Sequence, residues 1–161
     1  MLGSVVKVLG IDPGLSATGF GLIDGDLKVL DYGVVKTRKG DLGERLSKIY
    51  DAVEGLLETH RPTWAVLESV IYHKNVNSAL LLGAARGVTL LALHRKKVRI
   101  AEFSPTAVKL AVTGNGRASK GQVAYMVKRI FGLEESDLQD HITDALAVAL
   151  TLVLKGNDLL A

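Results

Sequence analysis

Residues 5–14 read Val-Val-Lys-Val-Leu-Gly-Ile-Asp-Pro-Gly, a largely apolar run that stops on an acid. Aliphatic and β-branched residues dominate its first half, which is typical of a strand buried on both faces of a sheet. Pro13 cannot donate a hydrogen bond to a neighbouring strand, and Gly14 allows backbone angles that other residues avoid, so the strand must end there. The segment therefore predicts Asp12 at the carboxyl end of a central strand.

Asp12 has two interpretations. An ionised aspartate is costly inside a core unless it is paired or bound to a metal, which favours a functional site. The simpler alternative is that Asp12 caps the turn that follows. The choice depends on how many other acids reach the same edge of the sheet.

The segments on either side of Gly25 predict a β-hairpin. Residues 18–23 and 27–36 are strand-like, and Asp24-Gly25-Asp26 between them is a turn signal. Strands joined by so short a turn are antiparallel neighbours. The first three strands are therefore expected to pair in antiparallel order.

A second acid ends a second buried strand. A helix is predicted to begin at Asp41, because apolar residues recur after it at helical spacing. These residues are Leu42, Leu46, Ile49, Val53 and Leu56. Past Pro62, the apolar run 64–67 ends at Glu68. A strand, a crossover helix and another strand imply parallel pairing, which puts Asp12 and Glu68 at the edge where open α/β sheets place their sites.

The next helix is predicted from Ala79 to about Arg95, with Asn77-Ser78 as its cap, and it is apolar on most sides. Gly83 and Gly87 lie one helical turn apart and would let another helix approach closely. Two interpretations stay open. The helix is either fully buried in the core, or it has one face on the sheet and another in a homodimer contact.

The final helix, predicted over residues 140–154, brings further candidates. His141 and Asp144 are three positions apart and share a face near its amino-terminal end, where the helix dipole favours a carboxylate. Asp140 also shares a face with Asp144, and a lone histidine on a helix is more often structural or on the surface. Glu102, near the end of another predicted strand, is a rival acid to which we assign a peripheral role.

Cationic residues accompany these acids. Ser104-Pro105 begins a helix that carries Lys109. The glycine-rich loop 114–116 then leads through Arg117 to a helix that starts beside Lys120. Each lysine on its own is most simply explained as part of a solvated helix face.

The composition limits the class of protein. The chain has 161 residues, 48% of them hydrophobic, and no cysteine, which predicts one domain over 1–161 and excludes disulfides and zinc–thiolate sites. The amino terminus does not read as a signal peptide, and the apolar stretch 79–93 falls short of the ~20 residues that span a bilayer. We therefore expect a cytoplasmic protein with no membrane partner. A net charge of +3, with several acids assigned to one site, leaves a basic surface that permits a polyanionic partner.

Asp12, Glu68, His141 and Asp144 together make an oxygen-rich candidate site without thiolates. Hard oxygen ligands select Mg²⁺ or Mn²⁺ over softer metals. Such a site can hold two ions ~3.5–4 Å apart, one activating water and one stabilising the leaving oxygen of a phosphodiester. With an imidazole among the ligands, Mn²⁺ should be tolerated at least as well as Mg²⁺.

Along essentially its whole length the chain resembles the RuvC family of Holliday-junction resolvases, which have the RNase H-like fold. The motifs that carry the resemblance are Gly-Ile-Asp-Pro-Gly at 10–14, Ala-Val-Leu-Glu at 65–68, Lys-Asn-Val-Asn-Ser-Ala-Leu at 74–80, Gly-Ala-Ala-Arg-Gly-Val at 83–88, Val-Lys at 108–109, Gly-Asn-Gly-Arg-Ala-Ser-Lys at 114–120 and Asp-Ala-Leu-Ala at 144–147. Each motif is weak alone, but their joint order and spacing are specific. The resemblance implies an α/β fold in which a mixed five-stranded sheet, three antiparallel strands and then two parallel ones, has helices on both faces.

The resemblance also implies an activity. The implied activity is that of a Mg²⁺-dependent endonuclease. Such an enzyme works as a homodimer and nicks two strands of like polarity at a four-way junction, which leaves 5′-phosphate and 3′-hydroxyl ends. Asp12, Glu68 and Asp144 match the family's catalytic acids, and His141 stands where many members carry a further aspartate. Whether His141 binds metal, acts as general base or orients water is left open. A RuvA–RuvB branch-migration complex is implied as a partner.

The resemblance further indicates residues for DNA contacts. Lys109 and Lys120 match family lysines close to the site, where a cation can hold the scissile phosphate. Tyr72 is assigned the role of an aromatic residue that stacks on unpaired junction bases, although the usual aromatic position is the isoleucine before it. Lys74 and Arg117 fall within matching motifs. Further basic candidates for the DNA arms are Lys36, Arg38, Arg95, Lys96 and Lys97.

Three alternatives stay open. Another RNase H-like nuclease, acting on flaps or RNA–DNA hybrids, would differ in dimer spacing and loops rather than in its metal site. A junction-binding protein that has lost catalysis is favoured only by His141. Sugar kinases and actin-like ATPases also begin with a strand, an aspartate and a glycine, but the chain is short for two lobes and lacks a second phosphate loop.

Overall fold

The computed structural model describes residues 5–69 and 75–156. Within them lie five strands and five helices. The elements are β1 (Lys7–Asp12), β2 (Ala17–Asp24), β3 (Val29–Lys36), α1 (Leu42–His60), β4 (Trp64–Glu68), α2 (Val76–Arg95), β5 (Arg99–Phe103), α3 (Pro105–Thr113), α4 (Lys120–Ile130) and α5 (Asp140–Lys155).

The strands form one mixed sheet in the order β3-β2-β1-β4-β5. β1 pairs with β2 and β2 with β3 in antiparallel fashion, whereas β1–β4 and β4–β5 are parallel. The predicted sheet is therefore confirmed, including the central place of β1. Asp12 is the last residue of β1, and Glu68 is the last residue of β4.

Helices cover both faces of the sheet, as predicted. Buried side chains of α1 and α2, such as Ile49 and Ala85, pack with Leu9 and Leu67 on one face. The other face packs against α3, α4 and α5, and α5 is buried along most of its length. Residues alternate between the two cores along β1 and β4, because successive side chains of a strand point to opposite faces.

Two predicted helix details are wrong. The buried stripe of α1 ends on Leu57 rather than Leu56, and Leu42, the first residue of the helix, is 45% exposed. α2 begins at Val76 rather than Ala79, since the Asn75 side chain, not Asn77-Ser78, caps it by accepting a hydrogen bond from the Ser78 amide.

α2 is not fully buried, so the first interpretation of this helix is wrong. One side of it, including Ala85 and Thr89, faces the sheet. On the other side an apolar stripe runs along the helix with its side chains or glycine backbones exposed; it comprises Val76, Leu80, Gly83, Gly87 and Leu91. We call these five residues the α2 stripe.

The length of α2 also differs from the expectation. Because it begins at Val76, the helix reaches 20 residues, and within the described residues it alone has the length and composition to cross a membrane, with 22% of its most apolar stretch buried. A helix of a soluble protein can pass the same test. The length and composition of α2 therefore do not distinguish a membrane contact from a protein contact at the α2 stripe.

Glycines let α5 lie directly on the sheet. A Cβ atom at Gly10 of β1 would overlap the carbonyl oxygen of Ala145, and one at Gly19 of β2 would overlap that of His141. The two strands thus present bare backbone where the first turns of α5 cross them. This close approach brings the amino-terminal end of α5 to the end of β1.

Candidate active site

One cleft lies at the carboxyl ends of β1 and β4. It has a volume of ≈ 260 Å³, and its polar lining comes from five elements: Asp12, Glu68, Lys109, Lys120 and Asp144. The three carboxylates and two ammonium groups singled out in the sequence therefore share a single cavity.

Strand geometry explains why the two strand-end acids point the same way. Ile11 and Leu67 pair across β1 and β4 and belong to the core on the α1–α2 face. The next residue of each strand must point to the opposite face. Asp12 and Glu68 thus both project toward α5, which carries Asp144.

The first turn of α5 contacts the end of β1 through a side-chain pair. His141 Nδ1 lies 3.0 Å from Asp12 Oδ2, and the two side chains are 45% and 32% exposed. His141 does not line the cleft, and it contacts the site through Asp12. A hydrogen bond to a carboxylate fixes the ring orientation of a histidine and leaves its other nitrogen available.

The Asp144 carboxylate has a cationic partner of its own. Lys120 Nζ lies 3.1 Å from Asp144 Oδ2 and comes from the first residue of α4, where Ser119 forms a capping box with Gln122. The cap fixes where α4 begins and therefore the position of the Lys120 stem. The side chain of Lys120 is 63% exposed, so its ammonium group can also meet a ligand from solvent.

Burial and like charge make the two strand-end acids unusually basic. Burial raises the pKa of Asp12, the hydrogen bond from His141 lowers it, and the nearby Asp144 charge raises it again, with a net upward shift. The pKa of Glu68 is also raised, first by burial and then by the charges of Asp144 and Asp12. Burial lowers the pKa of Lys120, but its contact with Asp144 outweighs this and the net shift is upward. The charge of Asp144 thus acts on both strand-end acids, and that of Asp12 acts on Glu68.

The raised pKa of Asp12 predicts a pH-dependent cost in stability for the metal-free protein. Because the folded pKa lies above the ordinary value of 3.8, the stabilising contribution of Asp12 is complete below that value and is lost as the pH rises through the folded pKa. We therefore expect Asp12→Asn to raise the free energy of unfolding in EDTA at about pH 7 by roughly 0.5–2 kcal/mol. Urea unfolding curves recorded at several pH values should show this gain shrinking as the pH is lowered toward 3.8.

The control for this measurement is Asp51→Asn, since Asp51 is exposed on α1. It should change the free energy of unfolding little at either pH. A gain for Asp12→Asn that grew as the pH fell would contradict the assigned shift.

The donor set of the cleft fits a hard divalent cation. Its acidic groups are all oxygen donors, and the charge of Asp144 raises the pKa of both Asp12 and Glu68, so a bound cation would relieve this repulsion. Within 5–69 and 75–156, no three acidic or histidine side chains are already gathered closely enough to hold a metal ion. Asp12 and Asp144 are turned instead toward His141 and Lys120. A cation would therefore compete with these two side chains for the same carboxylates.

Other predicted residues lie elsewhere. Arg117 is exposed on the loop before α4 and does not line the cleft, and Asp140 is exposed at the start of α5. Glu102 also lies outside the cleft, as expected of a peripheral residue, and pairs with Arg86. The two remaining candidates, Tyr72 and Lys74, lie outside the described residues.

The cleft also has an apolar half, which was not predicted from the sequence. Val108 and Val123, on α3 and α4, line it beside the charged groups and belong to the core. They add apolar surface beside Asp12 and Glu68, the two acids whose pKa is raised by burial. Their positions one residue before Lys109 and three after Lys120 were a usable signal, because a cleft lysine at a helix edge has apolar neighbours on its inner side.

The sequence and the fold both match known proteins. A family model described as crossover junction endodeoxyribonuclease RuvC matches residues 8–152. A protein of that description from Treponema denticola is 45% identical over 154 residues, covering 93% of this chain and 86% of the relative. The structure of T. thermophilus RuvC in complex with Holliday junction substrate is 32% identical, with a TM-score of 0.84 over 92% of this chain and 93% of that one. A second Thermus thermophilus RuvC structure is 35% identical, with a TM-score of 0.83 over 92% of this chain and 94% of that one.

Proposed function

The chain belongs to the RuvC family of crossover junction endodeoxyribonucleases, and we propose that it resolves four-way (Holliday) DNA junctions by paired, symmetric nicks. The observation that carries the proposal is the cleft that Asp12, Glu68 and Asp144 line together with Lys109 and Lys120. Acids that can hold divalent cations, beside lysines that can hold a phosphate, are the groups that phosphodiester hydrolysis needs.

We further propose that residues 1–161 form one domain that acts in the cytoplasm.

The proposed cofactor is Mg²⁺, two ions per subunit, with Mn²⁺ as a working substitute. Asp12, Glu68 and Asp144 are the proposed ligands, and His141 joins them through the ring nitrogen that Asp12 leaves free. A divalent cation in such a site supplies an activated water and charge stabilisation for the leaving oxygen. The raised pKa of Asp12 and Glu68 means that protons compete for the same oxygens, so acid should weaken binding of the cation.

His141 is proposed to act through its free Nε2 atom. If Nδ1–H donates to Asp12, Nε2 carries the lone pair that a metal ligand or a general base requires. The hydrogen bond also holds the ring in place while the reaction proceeds. The orientation of the His141 ring is therefore fixed although the residue does not line the cleft.

The two cleft lysines are proposed to hold the scissile phosphate. We expect Lys120→Met to lower the cleavage rate about 10²-fold, because one positioned charge at the reacting phosphate is lost. Junction affinity should fall much less, with the slope of log K against log salt reduced by about 0.9. Single-turnover cleavage and filter binding over a salt series measure the two effects.

The matched control for Lys120→Met is Lys128→Met in the last turn of the same helix. It removes the same charge from α4 away from the cleft. Equal losses of cleavage in both variants would show that Lys120 contributes only a general electrostatic attraction to DNA.

We propose that the α2 stripe is the homodimer contact. The stripe is apolar, runs along the helix and contains two glycines one turn apart that permit close helix approach. Leu80, which is 68% exposed, lies within it. In a two-fold contact Leu80→Glu would bring a carboxylate from each subunit into an apolar interface, so we expect a monomer at micromolar concentration by analytical ultracentrifugation.

Leu154→Glu is the control for the dimer prediction, since Leu154 is 46% exposed at the far end of α5. It should stay dimeric. A wild-type protein that sediments as a monomer at the same concentration would remove the proposed interface.

The whole proposal is tested with synthetic four-way junctions, linear duplex and RNA–DNA hybrid in Mg²⁺, Mn²⁺ and EDTA. Paired nicks on the junction alone, in either metal and not in EDTA, are the expected result. Cleavage of the hybrid would favour another nuclease of this fold, and junction binding without nicking would favour the inactive binding protein. Tyr72, Lys74 and Arg117 are proposed DNA contacts, and a RuvA–RuvB complex is the proposed protein partner.

A further inference from the structure

Arg86 of α2 contacts the backbone of a cleft residue from behind the sheet. Its Nη1 donates a hydrogen bond of 2.8 Å to the carbonyl oxygen of Glu68. Its Nη2 lies 2.5 Å from Oε1 of Glu102 on β5. The Arg86 side chain is 14% exposed, so the guanidinium is largely withdrawn from water where it makes these contacts.

The two contacts hold the point at which β4 ends. The peptide group between Glu68 and Ser69 is fixed at both of its polar atoms: its carbonyl accepts from Arg86, and the Ser69 amide donates to Phe103 of β5 at 2.8 Å. The Glu68 side chain leaves the same residue toward the opposite face of the sheet, into the cleft. The direction of its carboxylate therefore depends on a peptide plane that Arg86 holds.

Arginine suits this position because its planar fork can serve two acceptors at once. Glu102 neutralises the buried guanidinium, and the second nitrogen is free for the carbonyl. A lysine at this position would offer one ammonium for both acceptors. Removing Glu102, which is itself 42% exposed, would leave the largely buried Arg86 guanidinium without its acid, which is costly.

We propose that Arg86, held by Glu102, is a positioning residue that sets the Glu68 carboxylate for cation binding; this rests on the proposed metal-dependent nuclease function. Arg86 touches neither the cleft nor the reacting atoms and acts through the Glu68 backbone. It lies between the two glycines of the α2 stripe, so the same helix that carries the proposed dimer contact also supports the cleft.

The test measures Mn²⁺ binding without DNA, by calorimetry or by the electron paramagnetic resonance signal of free Mn²⁺. We expect Arg86→Met to weaken Mn²⁺ binding about tenfold, the lower end of the loss seen when groups that orient metal ligands are removed. Arg86→Lys should fall between Arg86→Met and wild type, because a single ammonium keeps one of the two contacts. Junction affinity in EDTA should not change, since no phosphate contact is removed.

Lys96→Met is the matched control. Lys96 lies just past α2 and bridges to Glu54 and Glu58 of α1, so its loss removes ion pairs at the same helix far from the cleft. Wild-type Mn²⁺ affinity in a folded Arg86→Met protein, or an equal loss in Lys96→Met, would overturn the proposal. If Arg86→Met does not fold, Glu102→Gln keeps the fold under milder change and must weaken Mn²⁺ binding by itself.

The outcomes separate this inference from the proposed function. A wild-type protein that binds Mn²⁺ but never nicks a junction contradicts the nuclease and still reports on Arg86. A wild-type protein that nicks junctions while Arg86→Met and Glu102→Gln bind Mn²⁺ normally contradicts only the positioning role.

Discussion

Replacing Asp12 with asparagine should abolish junction cleavage while junction binding persists. We expect the single-turnover nicking rate in Mg²⁺ to fall by about 10³-fold or more, because the proposed ligand at the centre of the cleft loses its charge. Asparagine is nearly isosteric and can still accept a hydrogen bond from His141, so the fold should be kept. Binding should persist because phosphate contacts by the basic residues supply most of the affinity.

The measurement compares cleavage and binding on the same labelled four-way junction. Asp26→Asn serves as the control, because Asp26 is exposed in the β2–β3 turn and also carries one negative charge. The control should cleave at the wild-type rate. Nicking by Asp12→Asn within a few fold of wild type would show that this acid is dispensable, and parallel loss of binding would assign it to DNA contact or folding.

The strand-end acids were predictable because their positions follow from local rules. An apolar run that stops at Pro13-Gly14 fixes where β1 ends, and strand alternation together with parallel pairing then sends Asp12 and Glu68 to one side of the sheet. The helix starts at Asp41, Ser104 and Lys120 were equally local, and the helices begin where the sequence indicated. These features need only neighbours within a few residues.

The features that were missed depend on contacts between distant segments. Arg86 looked like a charge interrupting an apolar helix, because nothing near it in sequence reveals that Glu68 and Glu102 lie within reach. The pairing of Lys96 with Glu54 and Glu58 of α1 likewise joins residues far apart in sequence. The exposed side of α2 could not be predicted for a different reason. Helical periodicity is lost when nearly every side of a helix is apolar.

The absence of a side chain at Gly10 is needed both for the packing of α5 on β1 and for the geometry of the cleft. Alanine at this position would place a methyl group against the Ala145 carbonyl oxygen and close to the Ala149 Cβ, and neither atom belongs to a flexible side chain that could give way. α5 would have to move away from β1. Because α5 carries His141 and Asp144, the cleft would open between its two halves.

We therefore expect Gly10→Ala to lose both stability and activity. Overpacking of this kind costs about 1–3 kcal/mol, occasionally more, which urea unfolding measures. Well below the unfolding midpoint, the folded fraction should still nick junctions about 10²-fold more slowly, since a shift of ~1 Å in a catalytic group has that effect. The loss should appear in the rate of the chemical step more than in junction affinity.

Gly55→Ala provides the matched comparison, because a Cβ at Gly55 of α1 meets no atom within 4 Å among the described residues. Alanine favours the helix, so this variant should gain roughly 0.5–1 kcal/mol and keep its activity. If Gly10→Ala instead behaves like Gly55→Ala, α5 can retreat from β1 without disturbing Asp144. The close contact between helix and sheet would then be a matter of packing, and the geometry of the cleft would have to be maintained by α3 and α4 through Lys109 and Lys120.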